Sequence, residues 1–247
     1  MNSILKRFGL FGLVVALATG FASCNNDDDR EPYWASYGVV RETQESYDIV
    51  RDDGKVLYVE VNQSNQRVED GQRVLANYAI LGDEPDGFRV KLYALYDVLT
   101  KKPVSQSFID ADKLHRTDSI GVDPIITNDA WFGGNFLNVY FTILHSNSSQ
   151  QHFINLVYDD LKSTADELFF ELKHNDYDDP RRMYGTGVVS FDLSGLMPAG
   201  RDKVKVTLTW TDYDGYVHSI SGDYVPGTSQ PVPSSLSVAG QLQLSVQ

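Results

Sequence analysis

From residue 38 onward the chain is written in a period of two. In "SYDIVRDDGKVLYVEVN" the pair Asp53-Gly54 stands between two runs in which apolar and polar residues alternate. Alternation buries one face of a strand and leaves the other wet, and a Gly after Asp supplies the positive φ of a tight hairpin turn. "EDGQRVLANYAIL" repeats the arrangement with Asp70-Gly71, and "DGFRVKLYALYDVLTKKPVSQSF" reads as a long strand, a Lys-Lys-Pro turn and a partner strand. About five strands within roughly seventy residues predict a small OB-like barrel over 36–107.

The next stretch, "DADKLHRTDS", is polar and shows neither apolar period, so 108–119 reads as a linker. Alternation then resumes in "NFLNVYFTILH", "QHFINLVYDD", "ELFFELKHN", "TGVVSFDLSGL", "KVKVTLTWTD" and "GYVHSISGDYV". Short, evenly spaced strands with Gly, Pro and Asp breaks predict a sandwich over 120–247. The fold class is therefore all-β, a small N-terminal OB-like barrel followed by a C-terminal antiparallel β-sandwich. Only "DDLKSTADEL" looks helical, for a turn or two. The last ~20 residues are rich in Ser, Pro, Gly and Gln and read as loose, with a final edge strand at 242–246 as the alternative.

The N-terminus carries an address. Lys6 and Arg7 precede an apolar or small run from Phe8 to Phe21, the layout of a secretory signal over 1–23. Ala22-Ser23-Cys24 resembles the lipobox at which bacterial signal peptidase II cleaves before the new N-terminal Cys is acylated, although Phe21 replaces the usual Leu. Cys24 is the sole cysteine of the chain, so the exported product has no disulfide and must fold on hydrophobic cores. Residues 24–35 read as an acidic tether. Within it Asp27, Asp28 and Asp29 resemble the export signal of lipoproteins displayed on the outer face of the Bacteroidota outer membrane. The expected location is thus the outer membrane, lipid-anchored and surface-exposed, with the periplasmic face as the alternative.

Net charge excludes one class of partner. The formal charge is −13, and loss of Lys6 and Arg7 with the leader leaves −15. Within 36–107, nine Lys and Arg face twelve Asp and Glu, so an OB-like barrel here lacks the basic groove of a single-strand nucleic-acid binder. No nucleic-acid partner is expected.

A lipobox followed in order by "DGQRVLANYAIL", "WFGGNFLNVYFTI", "LFFELKHNDYDD" and "GVVSFDLSGL" resembles the NigD-like proteins of Bacteroidota. That family pairs an N-terminal OB domain with a C-terminal β-sandwich domain and takes its name from a member encoded beside a bacteriocin. The likeness runs from about Trp34 to Tyr224. It implies a non-enzymatic envelope lipoprotein that binds a protein partner in bacteriocin defence or immunity. It carries over no catalytic residue.

"HNDYDDPRR" gathers His174, Asp176, Asp178 and Asp179, a set with calcium or transition-metal character. Arg181 and Arg182 neutralise it and the EF-hand glycine is missing, so it reads as a solvated loop and no metal or cofactor is assigned. Asp212–Gly215 reads as a hairpin turn. The sequence holds no G-x-S-x-G, H-E-x-x-H, Walker A or dinucleotide motif, and His115, His145, His152, His174 and His218 are scattered. No catalytic residue is named and an enzyme is not expected. Tyr33, Trp34, Tyr37, Trp131 and Phe132 leave a surface glycan-binding lipoprotein as the alternative function, with Trp131 read as a core or inter-domain residue.

Overall fold

The computed structural model describes residues 33–112, 118–146 and 150–232. Cys24, Asp27, Asp28, Asp29, His115 and the tail beyond 232 lie outside the described residues.

The first five strands are β1 (Trp34–Glu42), β2 (Tyr47–Arg51), β3 (Val56–Asn62), β4 (Arg73–Glu84) and β5 (Gly87–Asp97). They close into a barrel in the order β1-β2-β3-β5-β4, with β3 and β5 parallel and the other pairs antiparallel. Asp53-Gly54 makes the β2–β3 turn, Gly54 having φ 80°. Closure needs a strand that bends, and β4 shifts register against β5 twice, between Asn77 and Tyr78 and between Ile80 and Gly82. Val40, Ile49, Leu57, Val74, Tyr78, Val90 and Leu92 fill the interior.

The run after Lys101-Lys102-Pro103, expected to pair within the barrel, goes elsewhere. β6 (Leu99–Lys101) and β7 (Val104–Ser105) each join a different sheet of the sandwich. The chain then turns into α1 (Gln106–Ala111), N-capped by Ser105, whose Oγ accepts from the Phe108 amide at 3.3 Å. Thus the barrel ends and the sandwich begins before the stretch assigned to the linker.

After a single 3-10 turn at Asp118–Ile120 come β8 (Ile126–Gly134), β9 (Phe136–His145), β10 (Phe153–Tyr158), β11 (Glu167–Asn175), β12 (Met183–Asp192), β13 (Val204–Thr211), β14 (Val217–Tyr224) and β15 (Thr228–Ser229). One five-stranded sheet has the order β14-β13-β11-β10-β7, the other β15-β8-β9-β12-β6. Phe141, Ile143, Leu156, Phe170, Phe191 and Leu208 pack between them. The sandwich is not wholly antiparallel. Because β12 lies in the opposite sheet, β13 returns beside β11 in the same direction, and β6 and β7 also pair in parallel with β12 and β10.

Two local expectations are corrected. "DDLKSTADEL" is a turn, in which Asp159 accepts the Ser163 amide on its backbone oxygen at 2.9 Å and the Lys162 amide on its carboxylate at 3.0 Å. That side-chain bond competes with helix continuation. At the C-terminal end, Thr228 and Ser229 are strand rather than loose chain, paired with Gly134 and Gly133. No helix among the described residues is long and apolar enough to cross a membrane.

Candidate functional site

The first polar cluster lies where barrel meets sandwich. Along β4 the residues Val74, Ala76 and Tyr78 enter the barrel core, so Arg73 and Leu75 point the other way, at the sandwich. The Arg73 side chain is 0% exposed. Its two terminal nitrogens form a fork on the Asp52 carboxylate, Nη2 to Oδ2 at 2.8 Å, while Nε donates to Ser190 Oγ at 3.2 Å and Nη2 to Asn138 Oδ1 at 3.0 Å. Ser190 Oγ donates to the same Asn138 oxygen at 2.6 Å, and the Phe136 ring lies 4.1 Å from the guanidinium carbon. Asp52 and Arg73 belong to the barrel, and Phe136, Asn138 and Ser190 to the sandwich. A Cβ on Gly133 would stand 2.0 Å from Asp52 Oδ2, which is why a glycine sits there. Beside the ion pair, Tyr37, Leu75, Val98 and Trp131 form an apolar layer. Trp131 therefore takes the inter-domain role.

The second cluster closes one end of the sandwich and contains the "HNDYDDPRR" residues. Expected as a solvated loop, it is buried at His174 (0% exposed), Asp176 and Asp179, with Asp178 left outside. The reason is structural bonding. Asp179 takes the Ser146 amide at 2.7 Å and its hydroxyl, while Asp176 accepts from the Asp178 amide at 2.9 Å and from Arg181 at 3.2 Å. His152 joins from the start of the next hairpin. Its Nδ1 meets His174 Nε2 at 2.9 Å and its Nε2 meets Asp179 Oδ2 at 3.3 Å, while His174 Nδ1 meets the Pro124 carbonyl at 2.9 Å.

Proton counting fixes the tautomer of His174. The Pro124 carbonyl only accepts, so His174 Nδ1 carries a proton and its Nε2, in the neutral ring, accepts from His152 Nδ1. Burial pushes His174 below its ordinary range, against the Pro124 hydrogen bond and with help from its neighbour His152. His152 Nδ1 and His174 Nε2 are hydrogen-bonded to each other. Among the described residues no group of three or more His, Cys, Asp or Glu is placed to hold a metal ion.

Next to this cluster a cleft of about 400 Å³ opens between the sheets. Tyr184 from β12 stands at its mouth, 72% exposed, across from the β13–β14 turn. Trp210 is stacked against His218 at 5.5 Å, and His218 Nε2 lies 2.5 Å from Asp212 Oδ2. That hydrogen bond, aided by the Tyr216 and Asp214 amides, holds the Asp212 carboxyl below the usual range. Tyr213 accepts the Leu144 amide at 2.7 Å and is capped by Arg181, and burial pushes its phenol up. A smaller cleft of about 370 Å³ lies over the barrel–sandwich seam, edged by Ser36, Arg51, Asp53 and Gln230. None of the four described histidines hydrogen-bonds to a hydroxyl.

Sequence reasoning brought His174, Asp176 and Asp179 together correctly but missed His152, Arg73, Asp52, Asn138 and Ser190. The only local signal was Arg73 and Asn77 on one face of an otherwise apolar strand, which alternation reads as a wet face.

A closed OB barrel locked to a mixed sandwich through the hydrogen bonds of a buried arginine defines the class, a two-part all-β protein. The chain belongs to the NigD-like family, matching the NigD-like N-terminal OB domain over residues 37–98 and the NigD-like C-terminal beta sandwich domain over residues 107–224. A "Putative TOXIN related protein" from Parabacteroides distasonis is 28% identical with a TM-score of 0.66, the match covering 78% of this chain and 94% of that one. A NigD-like immunity protein from Bacteroides caccae is 21% identical, TM-score 0.61, over 81% of this chain and 100% of that one. A "Putative lipoprotein" from Bacteroides fragilis is 14% identical, TM-score 0.57, over 81% and 100%. Among curated proteins none matches.

Proposed function

We propose that this chain is an envelope lipoprotein, anchored in the outer membrane through acyl groups on Cys24 and displayed on the cell surface by Asp27, Asp28 and Asp29. It works by binding a protein partner in an immunity-type role, without catalysis. The observation that carries the reading is membership of the NigD-like family across both parts of the chain. The immunity name of the Bacteroides caccae structure, the acidic net charge of −13 and the commitment of the buried histidines to structural bonds support it. In the anchor, burial of each CH₂ of an acyl chain is worth about 0.8 kcal/mol, so two or three chains hold the protein on the membrane permanently.

Cross-linking and affinity capture of the native lipoprotein from intact cells, beside a glycan array, test the function. A specific protein partner is expected. Glycan binding without one would overturn the reading in favour of a glycan-binding lipoprotein, the alternative that exposed Tyr184 beside the sandwich cleft favours. Labelling with a fatty acid tests the anchor, since Cys24→Ala should abolish incorporation.

A further inference from the structure

We infer that the outer edge of β14 receives an extended segment of the protein partner as an added strand, with a basic side chain of that segment seated in the adjoining cleft. The inference rests on the protein-binding reading above and specifies its surface.

A sandwich has four edges, and three of them here are blunted. β7 is two residues long, β6 is three, and β15 is two with Pro231 directly downstream of its Gln230 extension. β14 is different. It pairs with β13 through eight consecutive residue pairs without a bulge, and among the described residues nothing pairs with its other side. Asp212 N donates to Tyr216 O at 3.0 Å, so alternation directs the even-numbered residues of β14 toward β13. The amides and carbonyls of Val217, Ser219, Ser221 and Asp223 then point outward. Edges of this length are normally protected by Lys, Pro, a bulge or an inward charge, and "VHSISGDY" has no such device. Its one acid, Asp223, is paired with Lys203 at 3.0 Å. Val217 (73% exposed) and Ile220 (38%) add apolar side chains to the same edge. What such a ladder fits is another extended backbone.

The cleft gives the added strand a side-chain preference. It adjoins β14 at His218, which faces the inner side of the sheet together with Ile220. Asp212 is occupied by His218 and by the turn amides, whereas the Asp214 carboxylate on the cleft wall has no partner among the described residues. A free carboxylate in the same cleft lining as an exposed tyrosine ring suits an ammonium or guanidinium. The acidic balance of the whole chain draws the same kind of partner.

The test uses the full-length chain and a fluorescent decapeptide alternating Thr and Val with one central Arg, together with versions carrying Glu or Ala there. The Arg peptide should bind, and binding should be lost in Ser219→Pro, where the ring removes an outward amide and spares the β13 ladder. Ser221→Lys, which keeps every amide but charges the edge, should weaken binding as well. Asp214→Asn should cost the Arg peptide about fivefold to tenfold while leaving the Ala peptide unchanged. Wild-type binding by both edge variants would overturn the inference. So would peptide binding seen only after deletion of 233–247, since the edge would then belong to the protein's own tail. A partner captured from cells that ignores Ser219→Pro and Ser221→Lys would remove the edge while leaving the protein-binding function standing.

Discussion

Arg73 donates a fork of hydrogen bonds to Asp52 in the buried seam, so each is tolerable only while the other is present. Arg73→Met should lower stability by about 3–5 kcal/mol, because it leaves a buried carboxylate without its counter-charge. Combining it with Asp52→Leu should recover part of the loss, and denaturant midpoints of the three proteins check both statements. His174 gives a dependence on pH. Its folded-state value lies below the ordinary 6.5, so the unfolded chain takes up the proton first as pH falls. Stability is complete above about 6.5 and declines from there down to the folded value. Chemical denaturation across pH 7 to 5 should show this slope, and His174→Asn should flatten it. The histidine was visible in the sequence as one of a polar cluster. Its burial was not, because its hydrogen-bonded neighbour His152 arrives from the segment just before β10, distant in sequence.

At the level of elements, alternation and Asp-Gly turns were enough to place most strands. They work because each strand of the barrel and sandwich has one covered face, a local property with a local signature. Three features escaped for a different reason. Parallel pairing of β11 with β13 depends on β12 changing sheets, which no period of side chains records. α1 is six residues long, too short to show a helical period, and its signal is the Ser105 cap. The turn at Asp159 carries a helix-like composition that its own carboxylate overrides. The two clefts were illegible in the same sense, since their walls come from strands far apart in sequence.

For the molecule as a whole, the described residues form one compact unit. The Arg73 hydrogen bonds to Ser190 and Asn138 and the Trp131 layer tie the barrel to the sandwich, and β6 and β7 are strands of the sandwich sheets. Protease cleavage between 112 and 118 should therefore give two fragments that co-elute on size exclusion and part only in denaturant. Separate elution of a folded barrel and a folded sandwich would show that the seam is weaker than its burial indicates.

Residues 99–105 have a consequence for recombination. They fall between the two spans matched by the family descriptions, yet they supply an edge strand to each sandwich sheet. A chimaera spliced in the polar stretch after α1 would leave the donor's two edge strands behind and inherit mismatched ones. A splice at Val98 would carry them intact but would also have to transplant Asp52 and Arg73 opposite Asn138, Ser190 and Gly133. The inheritable module is consequently the pair, barrel and sandwich together.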